Sequence, residues 1–193
     1  MTKYILVGGY PYKATDGGKA FAEALTEGKP QPVKLLECLF ARPPENWQKA
    51  FAQNKEFFEH ILPNKKLDIR LAEIKKFAEQ VRWADSVYIR GGENERLLPI
   101  LKQNKVWRNE LDGKTLAGSS AGANALSKYF CGLDDPVLGE GLGIVPVKVL
   151  VHYRSDYNSP NIDWDKAEAE LKAKDPSFRF LPLAEGQFEV ISI

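Results

Sequence analysis

A serine lies in a run of small residues at the junction of a predicted strand and a predicted helix. Residues 118–124 read GSSAGAN and fit the pattern G-x-S-x-G around Ser120. A serine on a tight strand-to-helix bend has a strained backbone, so only small neighbours fit, and its hydroxyl stands above the sheet edge. We therefore predict that Ser120 is a nucleophile. The alternative is a turn where a helix packs closely on a strand.

A serine hydroxyl needs a base to take its proton, and the chain has two histidines. His60 lies near the predicted end of a helix, where a cation suits the helix dipole, so we assign it a structural role. His152 follows the apolar run 144–151, at the C-terminal end of a predicted strand, where active groups collect in open α/β sheets. We predict that His152 is the base. Activity should then rise as its imidazole loses a proton near neutral pH.

A third group should orient the imidazole and stabilise its charged form. Acids downstream of the serine are candidates, and spacing alone does not separate them: Asp134, Asp135, Glu140, Asp156 and Glu185.

A second polar element, residues 90–94 (RGGEN), follows another predicted strand. Glycines there let a backbone amide approach a ligand closely. The amides of Gly92 and Ala121 would then form a two-donor oxyanion hole, a feature that contributes orders of magnitude in rate. The alternative is a tight turn into a helix.

Strands and helices must alternate along the chain to position these groups. Short apolar runs predict strands, and apolar residues at helical spacing predict helices between them. The predicted strands are 4–7, 33–40, 67–71, 86–90, 114–118 and 144–151, the later helices are 121–130 and 162–174, and residues 179–193 close the sheet. This order predicts an α/β fold, with a mostly parallel sheet sandwiched between helices in a single domain, 1–193.

Composition excludes several classes of function. The formal net charge is +1, with acids and bases interleaved, which argues against nucleic acid or a membrane surface as a partner. Cys38 and Cys131 are read as reduced core residues, and the N-terminus does not have the form of a signal peptide, so we predict a cytoplasmic protein. Two distant histidines and no closely spaced ligand pair predict no metal site, and no cofactor motif is complete.

Four segments together resemble the dipeptidase E (alpha-aspartyl dipeptidase) serine peptidases, which are related to cyanophycinases. They are the GSSAGAN serine segment, the Gly91-Gly92 turn, residues 141–153 leading to His152, and the acidic turn 183–186. The resemblance implies a class I glutamine amidotransferase-like three-layer sandwich that hydrolyses Asp-X dipeptides without metal or organic cofactor. It also implies a triad of Ser120, His152 and Glu185, with Asp135 as the rival acid, and oxyanion amides from Gly92 and Ala121.

The substrate would be a small peptide whose acidic side chain needs a cation. The candidate binding residues are Arg90, Asn94, Asn124 and Arg154, and Arg96 is a further cation in this region. The chain departs from the family pattern at Glu93, which stands where asparagine is usual and would repel an acidic substrate. It also departs at Val151 and in its short C-terminal segment.

These departures leave other functions open. A related serine amidohydrolase could act on a different peptide or amide, and a non-catalytic binding domain could keep the fold. An α/β-hydrolase esterase ranks last, because its acid should precede its histidine. Composition does not separate a monomer from a homodimer.

Overall fold

The computed structural model describes residues 1–103, 105–132, 137–157 and 162–193. Its strands, numbered along the chain, are β1 (Lys3–Val7), β2 (Val33–Cys38), β3 (Leu67–Leu71), β4 (Ser86–Ile89), β5 (Thr115–Ser119), β6 (Tyr129–Cys131), β7 (Leu138–Glu140), β8 (Val147–Leu150), β9 (Arg179–Pro182) and β10 (Phe188–Ser192). Its α-helices are α1 (Lys19–Thr26), α2 (Trp47–Ile61), α3 (Phe77–Trp83), α4 (Asn94–Gln103), α5 (Ala121–Leu126) and α6 (Trp164–Ala173).

The central sheet is mostly parallel, as the alternation of elements predicts. Its strand order is β10-β1-β5-β4-β2-β3, and only β10 runs antiparallel to its neighbour, β1. The C-terminal ends of β1, β4 and β5 therefore meet at one edge. This is the edge where parallel α/β sheets place their ligands.

Helices cover both faces of this sheet. Along β1, Ile5 packs with residues of α1 and α2, such as Phe21 and Phe58, whereas Leu6 belongs to the core beneath α3 and α4. Side chains alternate between faces along a strand, so a strand with helices on both sides buries apolar side chains on both faces. The α/β prediction is confirmed.

A smaller sheet, ordered β7-β6-β8-β9, lies beside the central one and shares its core with α6. The main chain connects the two sheets where the His152 N–H donates to the Gly8 carbonyl at 2.8 Å. The helix predicted over 121–130 is too long. Ser127 has an extended backbone and its hydroxyl bonds to the Asn124 carbonyl, so the helix ends at Leu126 and the aromatic residues that follow form β6.

Both cysteines are free and buried. Burial raises the pKa of Cys38 to about 12 and that of Cys131 to about 11, so both remain thiols near neutral pH. In the described ranges, no helix combines the length and apolar character needed to cross a bilayer.

Candidate active site

Ser120 occupies the strained bend that its neighbours predict. It lies between β5 and α5 with φ 52° and ψ −118°, a conformation unusual for a residue with a side chain. The glycines around it are required by packing, since a Cβ on Gly122 would lie 2.1 Å from the Ile89 carbonyl oxygen and one on Gly118 would lie 2.5 Å from Gly122. The Ser120 N–H donates to the Val7 carbonyl at 3.0 Å, which ties the bend to the edge of the sheet.

His152 lies next to Ser120. It follows β8 in a turn with φ 51°, and its imidazole Nε2 is 3.0 Å from the Ser120 Oγ. The residue is 2% exposed, so the hydrogen bond is largely shielded from water. The structure thus places the predicted nucleophile and base within hydrogen-bond distance.

Glu185 is the acid that contacts the imidazole. Its Oε1 is 2.8 Å from the His152 Nδ1, and its side chain is almost fully buried. The Lys13 ammonium donates to the other carboxylate oxygen. Of the rival acids, Glu140 pairs with Lys128, Asp156 lies 3.9 Å from the Lys13 Nζ, and Asp134 and Asp135 lie outside the described residues.

The loop after β1 encloses the imidazole. A Cβ on Gly9 would lie 2.3 Å from the His152 Cε1, so only glycine leaves room for the ring. Tyr10 meets the ring edge-on at 5.4 Å, and Tyr157 stacks on it at 4.1 Å. Gly186 joins this loop to the acid, since its N–H donates to the Gly9 carbonyl at 2.8 Å. The loop therefore lies against the His152 imidazole and is hydrogen-bonded to the turn that carries Glu185.

Ser120 opens into a cavity of about 250 Å³. It is lined by Tyr10, Pro11, Tyr12, Arg42, Tyr88, Arg90, Gly91, Gly92, Glu93, Ser119, Ser120, His152 and Tyr157. The Gly91-Gly92 turn passes directly over the serine, because a Cβ on Gly91 would lie 2.9 Å from the Ser120 Cβ. Glycine is needed at 92 as well, where a Cβ would lie 2.2 Å from the Ala41 carbonyl oxygen.

Charged side chains at the cavity are already partly paired. Arg90 Nη1 donates to the buried carboxylate of Glu37 at 3.2 Å. Arg42 Nε donates to the Gly91 carbonyl at 3.1 Å, and burial lowers the pKa of its guanidinium. At the rim, Glu93 pairs with Arg96 at 2.6 Å, which offsets the negative charge that the sequence placed there.

Three of the predicted substrate-binding residues do not line the cavity. Arg154 donates to the Tyr153 hydroxyl and to Asp165, and it lies 3.6 Å from Glu168, so the acids of α6 hold its guanidinium. Asn124 is buried and donates to the Asn94 side chain at 3.3 Å, so this pair joins α5 to α4. Of the four candidates, Arg90 alone lies at the cavity.

Sequence reasoning missed several residues of the site. Tyr10, Lys13 and Arg42 follow the C-terminal ends of β1 and β2, and Glu37 belongs to the end of β2. The only signal in the sequence is their place after buried parallel strands, where site residues gather. In the described residues, no group of three or more histidine, cysteine, aspartate or glutamate side chains could hold a metal ion.

Comparison with known proteins places this chain in a family. A model of peptidase family S51 matches residues 44–191. A peptidase from an acI-B1 Actinobacterium superimposes with a TM-score of 0.71 at 22% identity, covering 99% of this chain and 83% of the other. A Listeria monocytogenes EGD-e protein provisionally assigned to peptidase E superimposes with a TM-score of 0.69 at 20% identity, covering 99% and 97%. A search of curated proteins found no match. The two structures share the fold, and the match over most of the chain shows that it belongs to peptidase family S51 and is a serine-type peptidase.

Proposed function

We propose that the chain hydrolyses small peptides through a triad of Ser120, His152 and Glu185. The observation that carries this is the continuous hydrogen-bonded path, 3.0 Å from Ser120 Oγ to His152 Nε2 and 2.8 Å from His152 Nδ1 to Glu185. His152 takes the hydroxyl proton as Ser120 attacks the peptide carbonyl, and Glu185 stabilises the imidazolium. The imidazolium then protonates the leaving amine, and a water molecule releases the acyl group from Ser120 by the reverse steps.

The negative charge that develops on the carbonyl oxygen needs donors beside Ser120. We propose the backbone amides of Gly92 and Ala121. Gly92 lines the cavity, and Ala121 directly follows the nucleophile at the start of α5. Removal of one such donor in a serine peptidase costs about 100- to 1000-fold in kcat.

We further propose that the preferred substrate is a dipeptide with N-terminal aspartate. The small cavity, bounded by Tyr10, Tyr12 and Tyr157, favours a ligand of few residues. Arg42 and Arg90 offer guanidinium groups to a side-chain carboxylate. Glu93, at the same cavity, offers a carboxylate to the free α-ammonium group.

One observation favours a second substrate class. Because Glu37 already pairs with Arg90, part of the positive charge at the cavity is neutralised within the protein. A dipeptide with a neutral N-terminal residue is therefore the competing candidate, with the same triad and the same chemistry.

A dipeptide panel tests both proposals. Asp-Leu, isoaspartyl-Leu, Asn-Leu and Ala-Leu are offered to the wild type and to Ser120→Ala, and amine release is measured. We expect Asp-Leu to have the highest kcat/KM and Ser120→Ala to lose hydrolysis. A fluorophosphonate should label the wild type and not Ser120→Ala. Full activity in Ser120→Ala would show that Ser120 is not the nucleophile. A higher kcat/KM for Ala-Leu than for Asp-Leu would refute the proposed preference for aspartate.

A further inference from the structure

Glu37 is a buried acid that lies directly behind the wall of the cavity. Its side chain is wholly inaccessible to solvent, and its Oε1 accepts a hydrogen bond from Arg90 at 3.2 Å. Its Oε2 is also buried, and the Asn54 Nδ2 beside it does not complete a hydrogen bond of ordinary geometry. A carboxylate with one of its oxygens unsatisfied is costly to keep ionised in such a site.

Arg90 separates this acid from the ligand space. Its side chain lines the cavity that holds Ser120 and also an adjoining pocket lined by Gln53, Asn54 and Arg42. The same guanidinium can therefore bind Glu37 on one side and a substrate carboxylate on the other. Counted among themselves, Arg90, Arg42 and Glu37 carry one net positive charge when Glu37 is ionised and two when it is protonated.

We propose that Glu37 is a positioning residue that determines specificity through Arg90: its neutral form favours substrates with an acidic N-terminal side chain, and its ionised form favours neutral ones. This inference rests on the proposed cleavage of N-terminal aspartyl dipeptides. Glu37 does not touch the substrate. The charge state of Glu37 sets how much of the positive charge of Arg90 is available to the substrate.

Among the groups packed around Glu37, Glu37 itself is the one that changes its charge near neutral pH. Burial raises its pKa to about 7, even though Arg90 and Arg42 favour the ionised form. Burial also raises the pKa of the Tyr88 phenol and that of the Cys38 thiol, so both stay neutral in this range. Between about pH 5.5 and 8, charge in this cluster changes at Glu37.

The first test compares Asp-Leu with Asn-Leu, which has nearly the same shape and no side-chain charge. The ratio of their kcat/KM values cancels the titration of His152 and of the substrate amine, which affect both substrates alike. In the wild type this ratio should fall about tenfold between about pH 5.5 and 8, the effect of one charge about 8 Å away at an effective dielectric constant of about 30. In Glu37→Gln the ratio should stay at its high value across this range.

The matched control is Glu27→Gln. Glu27 is an exposed acid that pairs with Lys3 at the opposite end of β1, so its loss changes net charge equally and should leave the pH dependence of the ratio unchanged. The expected loss of discrimination at high pH should be seen mainly in KM, because charge complementarity to the side chain acts on binding.

A second readout does not need the Glu37 variant to fold. In Ser120→Ala, calorimetry of Asp-Leu binding near pH 7 in buffers of different ionisation enthalpy should show proton uptake, and Asn-Leu should show less. By linkage, a ligand that binds the protonated form better must take up protons. A ratio that does not vary with pH in the wild type, or equal proton uptake for the two ligands, overturns the inference while leaving Asp-Leu hydrolysis intact. Absence of Asp-Leu hydrolysis removes the proposed function and this inference together.

Discussion

Replacing Gly9 with alanine adds one methyl group, and we expect this variant to remain folded but to lose most of its activity. Gly9 has φ +138°, and a Cβ there would lie 2.3, 2.7 and 2.8 Å from three atoms of the His152 imidazole. In Gly9→Ala the ring must move, because these distances are below those that real Cβ atoms adopt. The movement acts on the hydrogen bonds of His152 to Ser120 and to Glu185.

The size of the effect follows from the displacement. Relieving the contact from 2.3 Å to the ordinary limit of 3.4 Å requires a shift of about 1 Å, and a misplacement of that size costs about 100-fold in rate. We therefore expect kcat/KM to fall about 100-fold. The strained backbone adds a destabilisation of about 1–3 kcal/mol, which leaves a folded population to assay.

The assay measures dipeptide kcat/KM, the rate of fluorophosphonate labelling at Ser120, and thermal unfolding by circular dichroism. Gly28→Ala is the control, since Gly28 also has positive φ (+69°) but a Cβ there would have no neighbouring atom within 4 Å. Gly28→Ala should lose stability and keep both rates. A folded Gly9→Ala enzyme with wild-type kcat/KM and labelling rate would show that the β1 loop does not constrain the imidazole.

Three further perturbations test the rest of the site. Glu185→Gln should lower kcat about 1,000- to 10,000-fold, because the amide no longer favours the correct tautomer of the His152 imidazole. Asp135→Asn should lower kcat far less. If steady-state kinetics gave the opposite order, Asp135 and not Glu185 would be the third member of the triad. Lys13→Met should move the acid limb of the pH–rate profile to higher pH, because Glu185 without its ammonium partner stabilises the imidazolium more strongly, and Lys13→Arg should restore the wild-type limb. An unshifted limb would show that Lys13 does not act on the imidazole through Glu185. Because burial raises the pKa of Glu37 to about 7, its contribution to stability is fully present below about pH 4.5 and is lost as pH rises through 7, by about 3 kcal/mol in all. In urea unfolding, the free energy of unfolding of Glu37→Gln relative to that of the wild type should therefore rise by about this amount between pH 4.5 and 8. A difference between the two proteins that does not change with pH would contradict this.

Some of the site could be predicted because its signal is local. The bend at Ser120 depends on the small residues beside it and on a strand and helix within a few residues, and the positive φ found there follows from these neighbours. His152 was predicted because the chain has only one other histidine, and that one lies on a helix. The parallel sheet was predicted from the alternation of apolar runs and helical stripes, although the end of α5 was misplaced.

Other parts depend on contacts between residues far apart in the chain. Spacing left several acids open as partners of His152, and the backbone contacts of the Gly9 and Gly186 loops are what place Glu185 against the ring. Arg154 shows the reverse, since it follows His152 closely in the chain but is held by acids of α6. Nearness in sequence does not decide the direction of a side chain when a distant helix offers a charged partner.

Local signals in the chain were therefore sufficient to predict the strands of the parallel sheet, and to select Ser120 by its bend and His152 by the scarcity of histidine. The packed structure was needed to show that Glu185 is the acid in contact with the imidazole, that Lys13 donates to this acid, and that Arg90 contacts both Glu37 and the cavity. Strand and helix propensities act over a few residues, whereas hydrogen bonds and charge pairing depend on distances that exist only once the sheet has packed.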